Sequence, residues 1–269
     1  MPTSTEPGSL RRGVQLLKIL ATAGSRGLSL TEISARAGLP HPSVHRVLQQ
    51  LGEERLVDRH AELRRYRLGP LAFELGVAGS TMYDIRDLCE PEMKRLAADT
   101  EDTVYLVMRS GFDAVCLHRI EGSFPIRTLV LEVGSRRPLG VGAGGLAILA
   151  ALPDPDRDEV ITRVAHQLKN FAKLDADAAR QACAAAREQG AAVIEGTINL
   201  GVTAVGHPFR DAMGQVVGAL SVAALSQRMP PSRIRAIGRS LADACASVER
   251  TLRSQQRLGW TAGKRAPPV

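Results

Sequence analysis

The stretch that decides the fold is residues 28–59, LSLTEISARAGLPHPSVHRVLQQLGEERLVDR. Ser29-Leu30-Thr31-Glu32 reads as a capping box, in which a hydroxyl and a carboxylate three residues on each satisfy an amide of a helix's first turn. That helix stops at Gly38, which takes a positive φ without a Cβ clash. Pro42 suits the first position of the next helix, where an N–H is not needed, and that helix runs to about Glu54. With Leu30 as position one of a twenty-residue helix-turn-helix, Ile33, Ala37, Leu39, Val44 and Val47 fall at positions four, eight, ten, fifteen and eighteen. Those positions face inward when two helices cross steeply around a short turn. Ser34 takes the crowded fifth position, where Ala is usual and Ser is small enough.

The outward face of the second of these helices carries Ser43, His45, Arg46, Gln49 and Gln50. Arg and Gln make bidentate contacts to guanine and adenine edges in a major groove, and Ser43 and His45 reach bases or phosphates. Upstream, Leu10, Val14, Leu17 and Ala21, with Leu16 and Leu20, form a helical stripe behind Ser9 as N-cap. Gly24 and Gly27 end it, and Arg11 and Arg12 at its start are phosphate contacts. Downstream, Leu56–Asp58 and Arg65–Leu68 read as a hairpin. Its Arg59, Arg64, Arg65 and Arg67 around Tyr66 suit a wing lying along a DNA backbone or minor groove. A helix from Pro70 to about Met82 follows as a connector, with Gly76 and Gly79 lowering its regularity.

A chain of 269 residues is long enough for two domains with separate cores. Aromatic residues are scarce, so the cores are aliphatic. No apolar run is long enough to cross a bilayer, and the first residues carry no apolar signal core, so the expected setting is the cytoplasm. Cys89, Cys116, Cys183 and Cys245 are too far apart in sequence for a CxxC motif, against a zinc ribbon or disulfide framework. Charge is uneven. Residues 1–83 hold 11 Lys/Arg against 7 Asp/Glu, residues 84–250 hold 20 against 21, and residues 251–269 hold 4 against none. A basic first unit beside a near-neutral larger one points to a polyanionic partner for the first alone.

The second unit opens with a helix around Ile85–Asp99 interrupted by Pro91. Strand-like runs follow at Val104–Arg109, Ala114–Ile120 and Ile126–Val133, with turns short enough for antiparallel pairing. A glycine-rich bend at Gly140–Gly145 leads into an apolar helix ending near Pro153. Helices at Asp156–Gln167 and Ala176–Gln189 precede strands at Ala191–Ile194, Val202–Phe209 and Val216–Ala224. The last helix starts at Pro230-Pro231 with an apolar stripe from Ile234 to Leu252, and the tail from residue 258 reads as disordered.

At this point the sequence is similar to the IclR family of bacterial transcriptional regulators. The matching stretches are SLRRGVQLLKIL (9–20), the opening stretch above, RYRLGP (65–70), RRPLGVGAGGLAILAALP (136–153) and GVTAVGHPFRDAMGQVVGALSVAAL (201–225). The resemblance implies an α+β chain: an N-terminal winged helix-turn-helix over 9–69, a linker helix over 70–83, and a GAF-like effector domain with an antiparallel sheet over 84–257. It implies dimers or tetramers on palindromic double-stranded operators, and small organic acids or aromatic catabolites as effectors. Two departures stand out. Leu146 replaces a common Lys, and Ala204 and Ala223 replace polar or Cys residues that line the pocket in some members.

The free amides at the helix start after Gly140, Ala143, Gly144 and Gly145 suit a carboxylate, and the resemblance places the pocket there too. Ala204, Ser221 and Ala223 form the opposite wall, with Leu131 and Leu139 as apolar lining. Equally, these glycines let a helix pack tightly on the sheet. They match G-x-G-x-x-G formally, but Arg136-Arg137-Pro138 precedes the loop instead of a buried strand, which rejects a dinucleotide site. Glu195 and Asn199 either bond a ligand or cap a loop. His41 and His45 have metal-ligand spacing but no third ligand, and His118, His166 and His207 are isolated, so no metal and no cofactor is expected. No nucleophile motif surrounds Cys116 or Cys183. The function expected is a sequence-specific DNA-binding regulator, a repressor whose operator affinity is controlled by a small organic-acid or aromatic effector; the rivals are a constitutive regulator with a ligand-free sensor domain and an enzyme acting on a small acid.

Overall fold

The computed structural model describes residues 8–23, 26–60, 63–78, 81–171, 174–196 and 200–263. The chain divides into two compact units, residues 1–82 and 83–269.

In the first unit three helices, α1 (Ser9–Leu20), α2 (Leu30–Ala37) and α3 (His41–Glu53), pack with a small sheet of β1 (Leu28–Ser29), β2 (Val57–His60) and β3 (Arg65–Leu68). The strand order is β1-β3-β2, antiparallel throughout. Leu16, Leu20, Ile33, Val44, Leu48 and Tyr66 share one core, as the helical stripes require. The capping box forms: Ser29 N donates to Glu32 Oε2 at 2.7 Å and Glu32 N to Ser29 Oγ at 3.3 Å. Gly38 has φ 64° and ends α2 in the left-handed region. The Ser34 hydroxyl, buried in the turn, donates to the Leu39 carbonyl, so the polar residue at the fifth position closes the turn.

Two local readings need correction. Ser9 is the first helical residue rather than the cap; Gly8 holds the cap position, with no side-chain bond. Strand β1 escapes a periodicity reading because it is two residues long. The connector is α4 (Pro70–Ala78) followed by the start of α5 (Thr81–Thr100); Gly24 and Gly79 lie outside the described residues.

The second unit is built on six antiparallel strands in the order β6-β5-β4-β9-β8-β7. These are β4 (Thr103–Ser110), β5 (Asp113–Ile120), β6 (Arg136–Pro138), β7 (Ala192–Glu195), β8 (Val202–Arg210) and β9 (Val216–Leu225). Alternation sorts the side chains. Tyr105, Val107, Ala219 and Ala223 join a core with α6 (Gly142–Ala151), α7 (Asp154–Leu168) and α8 (Ala176–Gln189). Leu106, Met108, Leu220 and Val222 join a second core with α5 and α9 (Pro231–Gly263). Both faces are covered, which is why β4 and β9 read as nearly continuous apolar runs.

Helix α5 passes through Pro91; the lost backbone bond is outweighed by burial of Cys89, Met93 and Leu96 on one face. Helix α9 extends to Gly263, beyond residue 258, where the sequence reading begins a disordered tail. The larger difference is Ile126–Val133, which reads as a strand and forms none. Side chains satisfy its backbone instead of a ladder. Val130 N donates to the Tyr105 hydroxyl at 3.0 Å, the Thr128 carbonyl accepts from that hydroxyl at 2.6 Å, and the Leu131 and Val130 carbonyls accept from Arg119 and Arg137 at 3.3 and 2.7 Å. The third strand at this edge is β6, three residues long.

Candidate functional site

Helix α3 buries Val44, Val47 and Leu48. The 3.6-residue period therefore turns Arg46, Gln49 and Gln50 outward, and all three are exposed, while Ser43 and His45 at the margin are half-buried. Arg46 makes no ion pair or hydrogen bond among the described residues, so its five donors stay available to a base edge or a phosphate. Arg11 on α1 is exposed and Arg12 half-buried.

The wing sorts its arginines differently from the sequence reading. Arg64 sits exposed at the hairpin turn with φ 49°. Arg65 turns back: its Nη2 lies 2.8 Å from Glu32 Oε2 and its Nε donates to the Gly27 carbonyl at 3.1 Å. Arg67 pairs with Asp58 at 2.7 Å while remaining half exposed. Tyr66 is a core residue, 6 % exposed, with the Arg59 guanidinium 5.6 Å from its ring centre. Strand alternation explains this: β3 points Tyr66 inward and Arg67 outward. Tyr66 thus supports the wing from inside, contrary to the expectation that it meets DNA.

In the second unit a cavity lies between the start of α6 and the sheet. Of the sequence candidates, Leu131, Ala143, Gly144, Gly145, Ala204, Ser221 and Ala223 line it. Leu139 and Gly140 do not: Leu139 is fully buried in the core, and Gly140 turns the chain with φ 95°. Sequence reasoning missed Tyr105, Cys116, Val130, Arg137 and Ile194 on the walls. Alternation along β4 and β5 gives the register signal for Tyr105 and Cys116; nothing local marks Arg137. Leu146 is buried and does not line the cavity. Glu195 is exposed on β7 and Asn199 lies outside the described residues.

The glycines serve both readings of the bend at once. A Cβ on Gly206 of β8 would come 2.5 Å from the Ala143 carbonyl, and one on Gly144 2.9 Å from Val107 Cγ2, so α6 packs closer to the sheet than side chains allow. Helix α6 also has Val141 as its N-cap with no side-chain cap, so its first-turn amides lack a capping side chain. Burial pushes the Cys116 thiol up to about 11, a rise that Arg119 and Arg137 only partly offset. Burial likewise raises Cys89 to about 12 and Cys183 to about 11. Thiols held protonated are poor nucleophiles.

Comparison with known proteins agrees with this geometry. Residues 9–61 match the family model for the IclR helix-turn-helix domain, and residues 79–250 match that for the bacterial transcriptional regulator IclR C-terminal domain. The chain is 28% identical over 235 residues to the HTH-type transcriptional regulator KipR of Bacillus subtilis, covering 87% of this chain and 91% of that protein. It is 26% identical over 245 residues to the HTH-type transcriptional repressor AllR of Escherichia coli K12, covering 91% and 90%. A solved IclR homologue from Microbacterium hydrocarbonoxydans, complexed with 4-hydroxybenzoate, superposes with TM-score 0.70 at 24% identity over 92% of this chain and all of that one. An IclR-type regulator from Silicibacter superposes with TM-score 0.74 at 24% identity over 91% and 96%. With both domain models matched in order over most of its length, the chain belongs to the IclR family: it is a DNA-binding transcriptional regulator with an effector-binding C-terminal domain, and not an enzyme.

Proposed function

We propose that this chain is a repressor that binds a near-palindromic double-stranded operator as a homodimer or a pair of dimers. A small organic acid or aromatic catabolite in the α6 cavity then changes its operator affinity. The carrying observation is the outward face of α3, where Arg46, Gln49 and Gln50 are exposed and Arg46 has no partner among the described residues. Two copies would set these helices in successive major grooves about one turn of DNA apart. Arg46 and Gln49 read bases; Arg11, Arg12 and Arg64 hold phosphates, with Arg67 joining them when it leaves Asp58.

Dimerisation is supported by apolar side chains left uncovered in the first unit: Leu10 and Val14 on α1, and Phe73 and Leu75 on α4. A second copy is the partner of matching chemistry. Repression is supported by the similarity to the repressor AllR, and ligand control by the 4-hydroxybenzoate complex of the Microbacterium homologue. Effector control requires that the ligand bind the operator-competent and operator-incompetent states unequally. Four unpaired thiols fit a reducing cytoplasm.

The test is a gel shift on the protein's own upstream region, with and without a panel of aromatic and aliphatic acids. Wild type retards the fragment and at least one acid alters the retardation. Arg46→Ala relaxes sequence preference, by about 1–3 kcal/mol of discrimination at the contacted base pair. If Arg46→Ala binds the operator with unchanged specificity, the groove assignment is wrong.

A further inference from the structure

We infer that the open edge of β7 is where the second unit meets a second copy of the same chain, strand against strand, a contact additional to the first-unit one proposed above. The sheet ends at β7, which pairs only with β8 among the described residues. An edge strand offers main-chain donors and acceptors to any strand laid beside it. Alternation decides which groups face outward. Gly196 N donates to the Val202 carbonyl at 2.9 Å, so Ile194 and Ala192 also turn their amides and carbonyls toward β8. Val193 turns both of its groups to the open edge. The strand pairs in unbroken register and holds neither Lys nor Pro, devices that keep an edge unpaired in other sheets.

A groove runs along this edge between α8 and α9. Ala182, Ala185 and Ala186 line it on one side and Gly238 and Ala242 on the other. These residues are small, so the flanking helices leave β7 open to approach.

Charge and symmetry name the occupant. Opposite residues of an antiparallel pair point to the same face, so a two-fold axis at this edge falls level with a residue and not between two. Level with Val193, the outward groups of Val193 in the two copies bond each other, and Glu195 of one copy lies opposite Ala191 of the other. Helix α9 comes close at that point: a Cβ on Gly238 would stand 3.4 Å from the Ala191 Cβ. Arg235 and Arg239 flank Gly238; both line the groove, both are exposed, and neither has an ion pair among the described residues. Glu195 is exposed and lines the same groove. It shares a face with Val193, which packs on the core that holds α9.

Each copy therefore brings a carboxylate to the two guanidinium groups of the other. On the opposite face Ile194 meets Ala192 of the second copy. An axis level with Ile194 would set Glu195 against Val193 and away from the arginines. A foreign acidic strand would match the arginines alone, whereas a second copy matches both ends of the groove. Ion pairs at such an exposed rim fix register more than they add affinity; the main-chain bonds and the cover over Val193 hold the copies together.

The test uses the full-length protein. With oxidised glutathione as electron acceptor, Val193→Cys links two copies into a doublet on a non-reducing gel. Opposite residues of a bonded pair stand about 5.5 Å apart at Cα, within reach of a disulfide. Ile194→Cys, opposite Ala192, gives no link. The four native thiols are buried and contribute little background. In sedimentation, Arg235→Glu with Arg239→Glu, or Glu195→Arg alone, weakens self-association at least tenfold, and the three changes together restore it. No link by Val193→Cys, equal linking by Ile194→Cys, unchanged association after either charge reversal, or no recovery in the combined variant each overturns the inference. Should a reversal fail to fold by circular dichroism, the two cysteine variants decide. The operator gel shift reads the first unit's DNA contacts separately, so failure here leaves that reading to stand or fall by itself.

Discussion

Arg65 on the wing strand closes on Glu32 at 2.8 Å, and the same Glu32 carboxylate accepts the Ser29 amide at 2.7 Å. One carboxylate therefore caps the first helix of the helix-turn-helix and fastens the wing to it. Arg65 also donates to the carbonyls of Arg26 and Gly27 at 3.2 and 3.1 Å. Its role is to position the wing, whereas its neighbour Arg64 projects from the turn.

These adjacent arginines should fail differently when removed. Arg65→Ala loses the carbonyl bonds, about 1 kcal/mol of stability, which lowers the melting midpoint of so small a domain by roughly 4–8 °C. Arg64→Ala leaves melting unchanged and reduces the slope of log affinity against log salt by about one per chain. Scanning calorimetry and salt-dependent fluorescence anisotropy separate the two. Equal melting loss in both would contradict the distinction.

Glu32 also makes the domain acid-sensitive. Its pKa falls from 4.5 to about 2, chiefly through the Ser29 amide, then the Ser29 side chain and Arg65. A depressed carboxyl pKa stabilises the folded state fully above about 4.5, and that contribution disappears as pH falls toward about 2. Urea unfolding from pH 6 to pH 2 should show the gap between wild type and Glu32→Gln shrinking as the pH drops. A constant gap refutes the linkage.

The close seat of α6 predicts an order of damage. Gly206→Ala drives a Cβ to 2.5 Å from the Ala143 carbonyl, backbone that cannot turn away, whereas Gly144→Ala meets the Val107 side chain at 2.9 Å. Gly206→Ala should cost about 2–3 kcal/mol and Gly144→Ala about 1 kcal/mol. Urea titration of both variants checks the order, and the reverse order would mean that α6 is free to shift.

Asp102, 3 % exposed, takes Arg233 at 2.9 Å and Arg228 at 3.4 Å, and Arg228 also stacks 3.5 Å from the Phe124 ring centre. Burial pushes the Asp102 carboxyl up even though both arginines oppose it. Asp102→Asn leaves Arg233 short of an anion, while Arg228 keeps Glu101 at 3.3 Å. The expected loss is about 2–3 kcal/mol, less than a fully buried pair because Arg233 keeps partial contact with water. Thermal unfolding of the variant measures it, and a loss near zero would make this cluster a surface feature.

The helix-turn-helix was legible because its signals are local. Ser29 and Glu32 are three residues apart, Gly38 ends one helix, and Val44, Val47 and Leu48 share one face of the next. The strands of the second unit were mostly legible for the same reason, as short apolar runs bounded by turns at β4, β8 and β9. Ile126–Val133 was not, because strand propensity reports side-chain shape, while the decision rested on hydrogen bonds from Tyr105, Arg119 and Arg137 on other strands.

The chain's order of apolar, capping and turn residues was thus enough to determine two units, a helix-turn-helix and the family. Pairing across distance belonged to the tertiary structure: Arg65 bound inward and Arg64 left outward, Tyr66 in the core, and Arg137 on the wall of a cavity with no acidic lining among the described residues. A sequence records which charges exist, but whether each has a partner depends on segments far apart in the chain meeting within a few ångströms, and only packing decides that.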